Sequence, residues 1–214
     1  MKHIDKQQPY PDFVSFVQNE HPTNWDDIHH SKRYPNLYQD CRYEMLVSEQ
    51  GGLGGYTERP ILNSGHLHID HYRKKGMNWP QDVSFDWNNL IVEERAIQYG
   101  ACYKDKLTKD VGDYDKLLNP VTDFPEQMMS YLSNGEVMSK TDMDADDKKR
   151  VEFTIDRFNL NYPLLRLERE TLIKIIVESY ADLSDDDVKC ALQDNGYPTV
   201  VEWALALRKA TKTH

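Results

Sequence analysis

Leu67 and Ile69 alternate with His66, His68 and Asp70 in the stretch GHLHIDHYRKKG (65–76). Alternation of this kind places neighbouring side chains on opposite faces of a strand. The stretch therefore predicts a short strand with its apolar pair against a core and its polar trio on the other face. Register is strict in such a strand, because a slip of one residue would bury the imidazoles and expose the core pair. His71 breaks the alternation at the strand's end, beside Asp70. Three of the eight histidines fall within these six residues. Gathering them costs packing, and repulsion when they are protonated, which argues for chemistry over a purely structural role.

The elements around this strand follow from pattern. GGYTERPIL (54–62) reads as a partner strand, joined to it by the turn NSG. SFDWNNLIVEERAIQYG (84–100) reads as a helix, with Ser84 and Asp86 as caps and Leu90, Ile91 and Ile97 on one side. The predicted order is strand, strand, loop, helix. Upstream, Pro11 to Val17 reads as a short helix. Residues 34–52 read as a longer one, with Leu37, Tyr38, Cys41, Met45 and Leu46 in a stripe and Gly51-Gly52 as its end. Downstream, MMSYLSNGEVM predicts a hairpin turning at Asn134-Gly135. Helices follow at 143–159, 163–180, 184–194 and 198–210, with core stripes Val151, Ile155, Phe158 and Leu165, Leu172, Ile176. The fold class is α+β, a mostly helical scaffold around a small strand-bearing core. Its regions are 1–50, 51–110 and 111–214, expected to pack as one unit. Trp79 and Trp87 read as core anchors, and Arg166 and Arg169 as a solvated or partner-facing helix surface.

The chain carries a net charge of −10. Such a chain repels phosphate backbones at long range, so binding nucleic acid would need a basic patch or a basic partner. A patch exists in Arg73, Lys74 and Lys75, with Lys104, Lys106 and Lys109 further on. No apolar run approaches the roughly 20 residues of a membrane span, and MKHIDKQQPYPDF has no signal-peptide character. Cys41, Cys102 and Cys190 are odd in number and far apart, as expected of free thiols in a reducing, cytoplasmic compartment.

Two catalytic readings compete for the histidine cluster. HLHIDH fits the His-x-His-x-Asp-His spacing of two-zinc hydrolases. That site is completed by downstream ligands, and the only histidine after His71 is His214. The other reading is an HNH-type, ββα-metal nuclease. It needs a metal ligand followed at once by a histidine base at a strand end, then an asparagine, then a ligand on a helix. Asp70-His71 supplies the pair, and DWNNL (86–90) supplies Asn89 or Asn88. An imidazole with a pKa near about 6.5 can take a proton from water at neutral pH. A divalent ion held partly by Asp70 would neutralise charge on the phosphate oxygens.

These residues, in order with LVSEQGGL, YTERPI, HLHIDHYRKK, FDWNNL, NPVTDFPEQMMSYLSNGEV and IDRFNLNYPLLRLERE, resemble the PtuB-like HNH endonucleases of Septu-type and retron-associated anti-phage systems. The resemblance spans about residues 1–170. It implies a bacterial, cytoplasmic nuclease effector that acts on DNA, or on RNA such as tRNA, with a PtuA-like ATPase. In some systems a retron reverse transcriptase and its DNA exert control. It implies His71 as base, Asn89 as its positioning residue and Asp70 as ligand to Mg²⁺ or Mn²⁺. His68 serves as a second ligand or supporting catalytic group. Arg73, Lys74, Lys75 and Lys106 would contact phosphate, and His66 stays unassigned. Family members carry a Cys-x-x-Cys where this chain has Gly54-Gly55-Tyr56-Thr57. They carry further cysteines where it has Glu93-Glu94, so a four-cysteine structural zinc is not expected and helix and strand packing must replace it. The helix-borne metal ligand falls in ACYKDK (101–106), where Asp105 is the one hard oxygen ligand. The uncertain ligand set also admits an HNH-fold subunit that binds without cutting.

Overall fold

The computed structural model describes residues 1–212. Helix α1 (Pro11–Glu20) begins with proline in its first turn, where no N–H is needed. A tight turn at Trp25–His29 follows, closed by a capping box between Asn24 and Asp27. Helix α2 (Leu37–Glu44) runs on through a wider turn to Glu49 and stops at Gly51 and Gly52, with φ 60° and 81°. The predicted stripe is real: Leu37, Cys41, Met45 and Leu46 are buried, together with Phe13, Phe16, Trp25 and Ile28.

The central hairpin pairs β1 (Leu67–His71) with β2 (Leu90–Glu94), antiparallel, with Ile69 opposite Val92 and Asp70 opposite Ile91. Both of its faces are covered. Ile69, Leu90 and Val92 join the N-terminal core, and Ile91 joins a second core built by the C-terminal helices. Helix α2 blunts the free edge of β1: the Tyr38 hydroxyl accepts the Ile69 N–H at 3.1 Å, and Arg42 Nη1 donates to the Leu67 carbonyl at 3.1 Å.

Two sequence expectations fail here. GGYTERPIL is not a strand; it has one isolated bridge, Leu53 to Pro60, and its Gly55 N–H donates to the Val92 carbonyl of β2 at 3.1 Å. Its two glycines lie flat on β2. A Cβ on Gly55 would come within 2.2 Å of the Ile91 side chain, and one on Gly54 within 2.3 Å of Glu93 Oε1. Residues 84–100 are not a helix either. They form a short turn at Trp87–Asn89 and then β2. Leu90, Ile91 and Val92 are consecutive and all buried, the mark of a strand enclosed on both sides, which a short apolar run cannot distinguish from a helix. Ile97, counted in that helical stripe, is 73% exposed. Gly55→Ala is expected to cost roughly 1–3 kcal/mol by overpacking against Ile91. A shift in urea midpoint would measure it.

Helix α3 (Gly100–Leu107) follows β2 after five residues. The rest matches the sequence pattern closely. Helix α4 (Pro125–Met128) leads into the hairpin of β3 (Met129–Tyr131) and β4 (Val137–Ser139), with Gly135 at φ 76° in the turn. Helix α5 (Ala145–Phe158) is capped by Asp144 and ends at Asn159 in the left-handed region. Helices α6 (Pro163–Lys174), α7 (Asp185–Ala191) and α8 (Pro198–Lys212) complete the second core. Arg169 corrects another expectation. It is buried, its Nε donating to the Gly135 carbonyl at 2.7 Å and its Nη2 to the Leu160 carbonyl at 2.8 Å, so it fastens the β3–β4 turn to α6. Among the described residues no helix is long and apolar enough to cross a membrane.

Candidate active site

Strand β1 ends at His71, and α3 packs beside it. His68 and Asp70 share one face of β1, while Cys102 and Asp105 lie one turn apart on α3. All five side chains line a cavity of about 410 Å³. The N-terminal region contributes Trp25, His29 and Tyr38 to its wall, and Lys74, Lys75 and Arg95 lie at its cationic side.

His71 is buried, with Nε2 3.0 Å from the Ser84 carbonyl. A carbonyl only accepts, so Nε2 carries the proton and Nδ1 keeps its lone pair. The Trp25 ring meets the imidazole edge-on, 4.6 Å away at 88°, and fixes its plane. Burial pushes the His71 pKa below its ordinary value, with the charges of Lys75 and Lys104 adding to the effect. The Ser84 hydrogen bond and Asp70 oppose it. His71 is therefore neutral at neutral pH and able to accept a proton.

Of the two asparagines, Asn89 is the buried one, and Asn88 is exposed. Asn89 Oδ1 accepts the Arg73 N–H at 2.7 Å. Its Nδ2 donates to the Arg73 carbonyl at 3.0 Å and to the Val83 carbonyl at 2.9 Å. One amide thus clamps both ends of the loop between β1 and β2, two residues after His71. Asn89→Asp keeps the shape but turns an oxygen toward two carbonyls. It is expected to cost about 1–3 kcal/mol, read from the urea midpoint.

Asp70 is less free than the sequence suggested. Its Oδ2 accepts from the Tyr56 hydroxyl at 2.6 Å and from Lys104 Nζ at 2.8 Å. Lys104, grouped by sequence with the surface basic patch, is fully buried. Its other two protons go to the His71 and Tyr72 carbonyls, both at 2.9 Å. Burial alone would lower the Lys104 pKa, but Asp70 and Asp105 outweigh it and hold the ammonium above its ordinary value. Asp105 Oδ1 sits 3.1 Å from Nζ, yet no ammonium proton is left for it, and it has no hydrogen-bond partner. Burial and then the Asp70 charge push Asp105 above the usual carboxylate range. His68 Nδ1 is likewise buried and without a partner, and burial lowers the His68 pKa.

Glu93, paired across the ladder with His68, is fully buried and was missed by sequence reasoning. Its carboxylate accepts the backbone N–H of Tyr56 at 2.9 Å, of Thr57 at 3.2 Å and of Glu94 at 2.9 Å, and the Thr57 hydroxyl at 3.1 Å. Burial pushes its pKa up to about 7, against these hydrogen bonds. So the loop 54–57 is joined to β2 by a carboxylate as well as by the packing of its glycines. Through Tyr56, the same carboxylate positions the donor to Asp70.

The four phosphate-contact candidates separate. Lys74 and Lys75 line the cavity, Lys74 also donating to the Asp105 carbonyl at 3.1 Å. Arg73 instead lies over the Trp79 ring, 5.6 Å from its centroid, outside the cavity lining. Lys106 is exposed on α3 and also outside it. Arg95, exposed at the end of β2 with its N–H on the His66 carbonyl, lines the cavity in their place. Reading LIVEE as a strand would have found it. His66 is exposed and off the strand, and His214 lies outside the described residues. Compared with known protein families and with curated proteins, the sequence matches none.

Proposed function

We propose that this chain is a metal-dependent HNH-type nuclease that hydrolyses phosphodiester bonds in DNA or in RNA such as tRNA. It would act in a bacterial anti-phage complex with a PtuA-like ATPase, under retron control where a retron is present. One observation carries the reading: β1, a pinned loop, β2 and α3 follow in ββα order, with His71 at the end of β1, Asn89 clamping the loop and acidic and imidazole donors facing one cavity from β1 and α3.

The donor set suits a hard divalent cation. Asp70 keeps Oδ1 free of the bonds made by Oδ2, and His68 Nδ1 and Asp105 Oδ1 are buried acceptors without hydrogen-bond partners. Among the described residues no three such side chains are already gathered as a metal-holding group, so water or substrate oxygens would complete the shell. Asp70 and His68 would hold Mg²⁺ or Mn²⁺, with Asp105 next to them, and the ion supplies charge neutralisation at the phosphate. His71 Nδ1 takes a proton from the attacking water. Asn89 and the Ser84 carbonyl keep the imidazole in position. Lys74, Lys75 and Arg95 hold the phosphate backbone at the rim.

A second reading, a non-cutting HNH-fold subunit, is favoured by one contact: Lys104 already satisfies an oxygen of the proposed ligand Asp70. The test is cleavage of plasmid DNA and total tRNA with Mg²⁺ or Mn²⁺, by the chain alone and with the ATPase. Products that vanish in His71→Ala support the nuclease. No product from either protein supports the binding subunit.

A further inference from the structure

Lys104 is the only fully buried lysine among the described residues' core side chains, and its position is over-determined. All three of its protons are committed: to Asp70 Oδ2, to the His71 carbonyl and to the Tyr72 carbonyl. Three tyrosine rings, those of Tyr56, Tyr72 and Tyr114, surround the ammonium at 5.8, 5.9 and 6.0 Å. The ammonium sits where β1 ends and the catalytic candidate begins. It also lies between the two carboxylates that face the cavity, 2.8 Å from Asp70 and 3.1 Å from Asp105. Two carboxylates and one ammonium leave the cavity floor at net −1, less attractive to a divalent ion than the carboxylates alone.

We propose that Lys104 is a positioning residue that limits how the site takes a divalent cation: with the Tyr56 hydroxyl it occupies Asp70 Oδ2, so an ion can use only Oδ1 and must share Asp70 with a fixed positive charge. In exchange, its bonds to the His71 and Tyr72 carbonyls lock the strand end that carries the base. Metal affinity is held down, and base geometry is held fixed, by the same side chain. This rests on the nuclease reading of the cavity. It goes beyond that reading in assigning weak, Lys104-limited metal binding to a residue that touches neither substrate nor ion.

Lys104→Met preserves length and apolar stem while removing the charge. Mn²⁺ binding, measured by the electron spin resonance of free Mn²⁺, is expected to tighten roughly tenfold or more. That is the direction set by removing a unit positive charge a few ångströms from the ion. Cleavage is expected to fall about tenfold or more as the strand end loosens. A merely structural role would weaken both. Unchanged or weaker Mn²⁺ binding by folded Lys104→Met overturns the proposal while leaving the nuclease reading intact if cleavage persists. Wild-type protein that binds no Mn²⁺ and cuts nothing overturns the nuclease reading and this proposal with it. If the variant does not fold, the wild-type protein decides. A buried ammonium with three acceptors exchanges slowly, so the Lys104 Nζ resonance is observable. A saturable shift on adding Mg²⁺ supports the shared Asp70, and an unmoved resonance at saturating Mg²⁺ overturns it.

Discussion

His71→Ala is expected to lower nucleic-acid cleavage by roughly 10²–10⁴-fold, the usual contribution of a positioned general base. Folding should survive. The imidazole's one hydrogen bond is to the Ser84 carbonyl, and loss of the ring leaves a small gap beside Trp25, which lines the cavity. Thermal unfolding of the variant should therefore stay near that of wild type, and Mn²⁺ binding should remain, because Asp70 and His68 are untouched. His71→Gln is the sharper control. It restores a donor to Ser84 without restoring a base, so it should fold like wild type and cut like the alanine variant. Cleavage by His71→Gln close to the wild-type rate would remove His71 from the base role.

Glu93→Ala is expected to be the most destabilising single change at the site. It strips the acceptor from three backbone N–H groups and the Thr57 hydroxyl, in a fully buried position. Each orphaned buried donor costs about 1–3 kcal/mol, so a total of about 3–5 kcal/mol is expected after local relaxation. That is a large part of the roughly 5–15 kcal/mol that holds a domain folded. The same carboxylate gives stability a pH dependence. Its folded pKa is about 7 against an ordinary 4.5, so between these values the folded chain holds a proton that the unfolded chain has released. Its contribution is therefore most favourable below about pH 4.5, falls as pH rises, and is flat above about pH 7. The whole change is roughly 3 kcal/mol for a shift of this size. Subtracting the Glu93→Gln stability curve from that of wild type isolates the effect. A difference curve that is flat from pH 4.5 to 7 would show that Glu93 is already ionised across that range.

The parts of the fold read correctly from sequence are those set by local periodicity. Val151 and Phe158, and Leu165, Leu172 and Ile176, recur at helical spacing, and all are buried on the faces that this spacing predicts. Asn134-Gly135 supplies the left-handed residue that a tight turn needs, and the hairpin turns there. The errors fall where burial on two sides erased periodicity. Leu90, Ile91 and Val92 face two different cores, so the run looks the same as helix or as strand. Gly54-Gly55 looked like a strand start, yet what the pair provides is backbone that can touch Ile91 and Glu93.

The candidate site divides in the same way. The places of Asp70 and His71 were legible because they depend on neighbours along the chain: a strand end and the residue before it. The sequence by itself determined an α+β chain, the helices α1, α2 and α5 to α8, the alternating strand that carries His68 and Asp70, and the placing of His71 at that strand's end. Only the tertiary structure decided that Lys104 is a buried counter-ion and not a surface contact, that Glu93 grips the 54–57 loop, that Arg95 replaces Arg73 at the cavity, and that Arg169 is internal. Lys104, Glu93 and Arg169 are buried charged side chains whose partners lie far away in sequence. Their burial is stable only because a specific partner meets them there, and no local pattern encodes a partner.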